Sequence, residues 1–263
     1  MDFETYPAIT EALQRRVAHG IFGYTRVPDA YYEAVCRWFA KRHGWTISKS
    51  DIIYTTGVVP AISAIIKALT LPGDQVIVQG PVYNCFYSSI RNNGCEMVSN
   101  SLIYNKVAMR YEIDFDDLDR KLSHERARLF LLCNPHNPGG RVWTTEELIR
   151  IAELCKKHHV RVISDEIHCE LTLHDNQYVP FGSLPDELSF GSVSCCSPSK
   201  AFNIAGLQIA NIVCRDAEVR ERINRAININ EVCDVNPFGV EALQVAYTDG
   251  GGEWLVVDGL TSS

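Results

Sequence analysis

Apolar and polar positions alternate between two periods along this chain. Residues 9–19 and 30–43 carry apolar side chains at helical spacing, and Ile52-Ile53-Tyr54 is a short apolar run of strand character. Another helical pattern spans 60–69, where Pro60 suits a first turn because its missing N–H has no partner to lose. The turn signal Pro72-Gly73-Asp74 introduces Gln75-Val76-Ile77-Val78, a compact strand. A helix over 85–93 is expected to end at Gly94, with Glu96-Met97-Val98 as the next strand. Leu129 to Cys133 is apolar throughout, and Thr144-Thr145-Glu146-Glu147 then opens a helix in capping-box style that runs to about His158. Residues 160–164 predict a strand stopping at Asp165, and 193–195 and 209–214 predict two more.

Strands that are apolar on both faces and separated by helices predict an α/β fold, a three-layer sandwich with a mostly parallel central sheet. Residues 241–247 suggest a late helix, which Asp249-Gly250-Gly251-Gly252 is expected to break. Nothing after residue 250 looks able to form a second domain, and no repeat, low-complexity stretch or interdomain linker stands out.

Composition narrows the partners. With 263 residues, 46% of them hydrophobic, the chain can bury a full core. Its net charge is −7, and the nearest things to a basic cluster, Arg15-Arg16 and Lys156-Lys157, fall on helix faces. That balance disfavours nucleic acid and anionic membrane as partners. No apolar run reaches the length of a membrane span, and Met1-Asp2-Phe3-Glu4 lacks the layout of a signal peptide, so cytoplasm is the expected location. Ten cysteines include no C-x-x-C pair; Cys133, Cys155, Cys195, Cys196 and Cys214 lie in or beside apolar runs, where reduced, buried thiols are expected. His158-His159 has no carboxylate or thiol at ligand spacing and suits a helix end, so no metal site is expected.

In a parallel α/β sheet, ligands gather at the carboxyl ends of the strands. Five chemically distinctive segments fall at such ends: Thr55-Thr56-Gly57, Gly80-Pro81-Val82-Tyr83, residues 134–140, Asp165-Glu166-Ile167-His168 and Ser197-Pro198-Ser199-Lys200. They supply a small turn at a helix start, an aromatic plane, an amide, a carboxylate and a Ser-flanked lysine. A phosphorylated, cationic aromatic aldehyde would use every one of them. No G-x-G-x-x-G follows a strand, which disfavours a nicotinamide-dependent enzyme.

The ordered motifs Asn134-Pro135-His136-Asn137-Pro138-Gly139-Gly140, Ser164-Asp165-Glu166-Ile167-His168 and Ser197-Pro198-Ser199-Lys200-Ala201-Phe202-Asn203-Ile204-Ala205-Gly206-Leu207 resemble fold-type I pyridoxal-phosphate enzymes. Within that superfamily the chain is most similar to the C–S lyases of cystathionine β-lyase type, inside the class I/II aminotransferase group, from Met1 to about Tyr247. The resemblance implies pyridoxal 5'-phosphate as cofactor, held by Lys200 as a Schiff base, with the freed amine later removing the substrate's α-proton. It implies Asp165 as the partner of the pyridine nitrogen, although an Asp at a strand end also suits a helix cap. Asn137 would meet the cofactor's 3-hydroxyl, and it is also a natural turn residue. Tyr83 would stack on the ring, unless it is an ordinary core tyrosine. Gly57, Val58 and Val59 would meet the phosphate through backbone N–H groups at a helix start, and Ser197 and Ser199 would complete that cup. Tyr24 is similar to a tyrosine that reaches a neighbouring subunit's cofactor, which implies a homodimer. Catalysis would rest on Lys200, Asp165 and Tyr83.

Two departures bear on the reaction. Aminotransferases of this group usually carry tyrosine where this chain has His168, and a phosphate-binding arginine where it has Gln208. Both substitutions resemble the C–S lyases, although His168 also suits simple packing at a strand end. The implied reaction is β-elimination of a small amino-acid substrate, cystathionine or a cysteine S-conjugate, to a thiol, pyruvate and ammonia. An aminotransferase, or a truncated cofactor-binding protein without turnover, are the alternatives. The resemblance further divides the chain into a leading segment, 1–28, a cofactor-binding large domain, 29–247, and an aberrant tail, 248–263. The small C-terminal domain, which supplies the arginine for the substrate carboxylate, would be largely missing.

Overall fold

The computed structural model describes residues 3–173, 176–229 and 235–257. Two helices, α1 (Pro7–His19) and α2 (Asp29–His43), precede the first strand, β1 (Ile52–Thr55). Then follow α3 (Val58–Leu69), β2 (Gln75–Val78), α4 (Asn84–Asn92) and β3 (Glu96–Ser99). A hairpin of β4 (Ile103–Asn105) and β5 (Arg110–Glu112) leads to α5 (Phe115–Leu122), β6 (Ala127–Cys133), α6 (Thr145–Lys157) and β7 (Arg161–Asp165). The remainder is α7 (Asp186–Ser189), β8 (Val193–Cys196), β9 (Ala210–Val213), α8 (Ala217–Asn228), α9 (Pro237–Ala246) and α10 (Asp249–Val257).

Seven strands form one sheet in the order β1-β9-β8-β7-β6-β2-β3. All the pairings are parallel except the two that β9 makes, with β8 and with β1. β2, β8 and β9 are buried along their whole length, and β7 is buried beyond Arg161, as a sheet covered on both faces requires. Strand alternation decides which helices each side chain meets. On β6, Leu129, Leu131 and Cys133 pack with α3, α4 and α8, whereas Phe130 and Leu132 pack with α5 and α6. A further cluster joins the sheet to α1, α2 and α9 through Tyr31, Trp38, Phe39, Leu243 and Tyr247. The fold is the expected three-layer α/β sandwich.

The capping box at α6 is present: the Thr144 hydroxyl accepts from Glu147 N–H, and the Glu147 carboxylate accepts from Thr144 N–H. α5 and α8, two helices beyond those expected, each have an aspartate N-cap, Asp114 and Asp216. One expectation fails outright. Asp249 to Gly252 does not end the helical structure but opens α10. Gly251 shows why: a Cβ there would lie 2.1 Å from the Ala246 carbonyl oxygen. Glycine lets α10 close onto the end of α9, Trp254 stacks on Phe202 at 5.7 Å, and Leu255 is fully buried. Close tertiary packing outweighs the ~1 kcal/mol helix penalty of a glycine. Of the segment expected to be an aberrant tail, 249–257 is thus a packed helix, and 258–263 lies outside the described residues.

Candidate active site

At the carboxyl ends of β1, β6, β7 and β8, the sheet and the start of α3 enclose a cavity of about 310 Å³. Gly57, Val58, Val59, Tyr83, Asn137, Asp165, His168, Ser199 and Lys200 all line it. The sheet register explains part of this convergence. Asp165 and Cys133, the last residues of β7 and β6, pair with each other, and Asp165 pairs on its other side with Cys195, one residue before the end of β8; both cysteines lie on the face toward α3. Volume alone would have pointed elsewhere, since a groove of about 980 Å³ runs beside β1, between α3 and α8. That groove collects Lys67, Arg220 and Glu221 but none of the lysine, aspartate and amide set.

Asp165 is buried, and among the described residues its carboxylate accepts one hydrogen bond, from Ile167 N–H to Oδ1 at 3.1 Å. Burial pushes its carboxyl up to about 7; the Ile167 N–H and Lys200 pull it down, and nearby Glu166 pushes it up. A carboxylate in that condition gains from a cationic or N–H partner. Burial and the positive charge of Lys200 hold His168 below the usual imidazole range, so it is a neutral ring at pH 7. The side chains of Asn137, His168, Ser199 and Lys200 make no hydrogen bond to another described residue. Their donors and acceptors face the cavity uncommitted. The Cys85 thiol beside the Tyr83 hydroxyl, followed by burial, raises that phenol.

The start of α3 has no side-chain cap. The Val58 and Val59 N–H groups are therefore orphans of the first turn, next to Pro60, which has none to offer. Gly57 has an extended backbone; a Cβ there would press on Pro60 Cδ at 3.3 Å. An uncapped helix N-terminus of this kind can receive an anion, and it lines the same cavity as the buried Asp165 carboxylate.

Two expected residues lie elsewhere. Ser197 is buried behind the cavity wall, its hydroxyl donating to Ile209 O at 2.6 Å and accepting Ser199 N–H at 3.1 Å, so it shapes the turn before Lys200. Tyr24 is 97% exposed and does not join this chain's cavity. Conversely, sequence reasoning assigned no role to Cys133. Its thiol lines the cavity, accepts Asn137 N–H at 3.3 Å and donates to Pro135 O at 3.4 Å, pinning the turn that presents Asn137. Its place at a strand end, level with Asp165, was the signal available. Gln208, noted for the arginine it replaces, also lines the cavity, with a left-handed backbone and its amide donating to Ala205 O at 3.2 Å.

The donor set fits pyridoxal 5'-phosphate: an amine for an aldehyde, a carboxylate for a ring nitrogen, an amide for a phenolic oxygen, an aromatic face, and helix N–H groups for a phosphate. Fold and site together define a class, and the chain belongs to it: the family model of class I and II aminotransferases matches residues 1–241. Among curated relatives, cystathionine beta-lyase PatB of Bacillus subtilis is 46% identical over 255 residues, covering 97% of this chain. This chain covers 65% of that relative's own length. Two solved structures agree in fold. Cystalysin from Treponema denticola, which contains a pyridoxal 5'-phosphate cofactor, superposes with a TM-score of 0.94 at 32% identity, over 98% of this chain and 64% of that one. The pyridoxal-phosphate-bound C–S lyase from Staphylococcus hominis does so at 0.88 and 34%, over 98% and 65%.

Proposed function

We propose that this chain is the cofactor-binding part of a pyridoxal-phosphate-dependent C–S lyase, which converts cystathionine or a cysteine S-conjugate and water to a thiol, pyruvate and ammonia. The observation that carries the reading is the single cavity holding Lys200, Asp165, Asn137, Tyr83 and the bare start of α3. Residues 29–247 constitute the cofactor-binding large domain, and 1–28 lead into it. When bound, the cofactor supplies an electron sink for the charge left on the substrate's α-carbon.

The chain's own residues have separable tasks. Lys200 Nζ would hold the cofactor through its aldehyde carbon, and as a free amine it would serve as the base for the proton on the substrate's α-carbon. Asp165 would pair with the ring nitrogen and keep a proton on it, a partner that would also hold the aspartate in its charged form. Val58 and Val59 N–H groups, with the Ser199 hydroxyl, would hold the phosphate; Asn137 and neutral His168 would address the phenolic oxygen; Tyr83 would cover the ring. His168 and Gln208 favour elimination over amino transfer, as does the name of the 46%-identical relative.

Tyr24, fully exposed beside exposed Ile21 and Phe22, would meet the cavity of a second copy in a homodimer. The nine described cysteines are free thiols, which suits a reducing cytoplasm. Among the described residues, no helix is long and apolar enough to cross a membrane. The test is pyruvate release from cystathionine by the purified chain with added cofactor. Pyruvate and homocysteine in equal amounts are expected. Amino transfer to a keto acid without pyruvate would make it an aminotransferase, and cofactor binding without either product would make it a binding protein.

A further inference from the structure

The turn that begins at Asp165 and Glu166, both buried, ends at a third buried carboxylate, Glu170, which is 4% exposed. It points away from the cavity and is saturated. Trp38 Nε1 donates to Oε1 at 2.7 Å, Arg42 Nε to Oε2 at 2.9 Å, and His43 Nε2 lies 2.7 Å from Oε1. All three donors come from the last two turns of α2, more than a hundred residues away in sequence. His43 and Cys169 also bring ligand atoms within 4.8 Å of Glu170, but Arg42 and Trp38 already fill the carboxylate, so this is a hydrogen-bonded clamp and not a cation seat.

The other end of the turn is pinned as firmly. Glu166 N–H donates to Cys195 O at 2.8 Å, and the Glu166 carboxylate accepts from Ser164 Oγ and Phe181 N–H, each at 2.8 Å. His168 stands between the pins, in the cavity wall, with no side-chain hydrogen bond of its own to a described residue. Its placement is inherited from both ends of the turn.

We infer that Glu170 is a positioning residue for the cofactor cavity: by fastening the 166–170 turn to α2, it sets where the His168 imidazole stands. The inference rests on the reading of the cavity as a pyridoxal-phosphate site. α2 thereby becomes part of the site's support without touching it, and loosening α2 should be felt at the cofactor before the fold is lost.

The test is a double-mutant cycle on the full chain, read as the dissociation constant for pyridoxal 5'-phosphate by fluorescence quenching, with thermal unfolding in parallel. Glu170→Gln keeps the shape but sets amide hydrogens against donors, and should weaken binding about tenfold, the middle of the range for residues sharing a network. On a His168→Phe background the same change should add less than about twofold, because the residue it positions is gone. Glu170→Asp should restore most of the affinity. Trp38→Phe removes one donor, leaves the charges paired, and should weaken binding by about two- to threefold even if Glu170→Gln folds poorly. Equal losses with and without His168, or unchanged affinity in folded Trp38→Phe together with folded Glu170→Gln, would overturn the inference. Failure of the unmutated chain to bind the cofactor would sink the cavity reading instead.

Discussion

Asp165 and Glu170 are five residues apart, in one turn, and equally buried, yet their electrostatics are opposite. Glu170 meets a guanidinium, an imidazole and an indole N–H; although burial opposes it, His43, Arg42 and Trp38 hold its carboxyl below the usual range. Asp165 meets one backbone N–H and stands at about 7. Burial by itself therefore says little about a carboxylate; the partners decide. Glu170's needs are met within the chain, so it works for the fold. Asp165's are not, so it is kept for something that arrives from outside. The unpaired Lys200, Asn137 and Ser199 on the same wall say what kind of thing: a cationic ring bearing an aldehyde and a phosphate.

The sharpest way to break this contrast is to truncate Glu170. Glu170→Ala leaves the half-buried Arg42 without its counter-charge and Trp38 and His43 without their partner, and should cost about 3 kcal/mol at pH 7 by denaturant unfolding. The loss should shrink in acid: a carboxyl held low stabilises the fold above its unfolded value and loses that contribution as pH falls through its folded one. Asp165 should do the reverse. Its folded value lies above its unfolded one, so between pH 4 and 7 the unfolded chain releases a proton that the native chain retains, and stability falls as pH rises. Asp165→Asn removes that penalty; without cofactor it should be more stable than the unmutated chain above pH 7, by an amount on the order of 4 kcal/mol, and nearly equal to it at pH 4. Equal pH profiles would erase the distinction between the two acids.

With cofactor and substrate present, the same Asp165→Asn change should lower turnover about 10²–10³-fold, the effect of removing one preorganised electrostatic contact. At the small end, Gly57→Ala presses a methyl on Pro60 Cδ at the start of α3. It should weaken cofactor binding a few-fold and cost at most about 1 kcal/mol of stability. Cofactor titration measures the first and denaturant unfolding the second.

The same contrast separates what was legible in the sequence from what was not. Strands such as Leu129 to Cys133 announce themselves by continuous apolarity, and the polar residues that end them, Asn134, Asp165 and Ser197, mark the ligand side by rule. Lys200 and Asp165 were readable because a site's chemistry leaves residue types out of place at strand ends. Glu170 was not, because its partners on α2 are brought to it only by the fold. Ser197 had the right chemistry, but its hydroxyl is committed to Ile209 O and Ser199 N–H. The α10 glycines look like a helix break until the close approach to Ala246 supplies their reason. Local pattern carries elements and strand-end chemistry; long-range polar partners and backbone approach are settled only by packing.

The most direct measurement is to incubate the full chain with pyridoxal 5'-phosphate, reduce it with borohydride, digest it and map the product by mass spectrometry. One added phosphopyridoxyl group, on the peptide carrying Lys200 and lost in Lys200→Ala, is the predicted result. A modification spread over surface lysines, or no stoichiometric modification, would contradict the cavity described here.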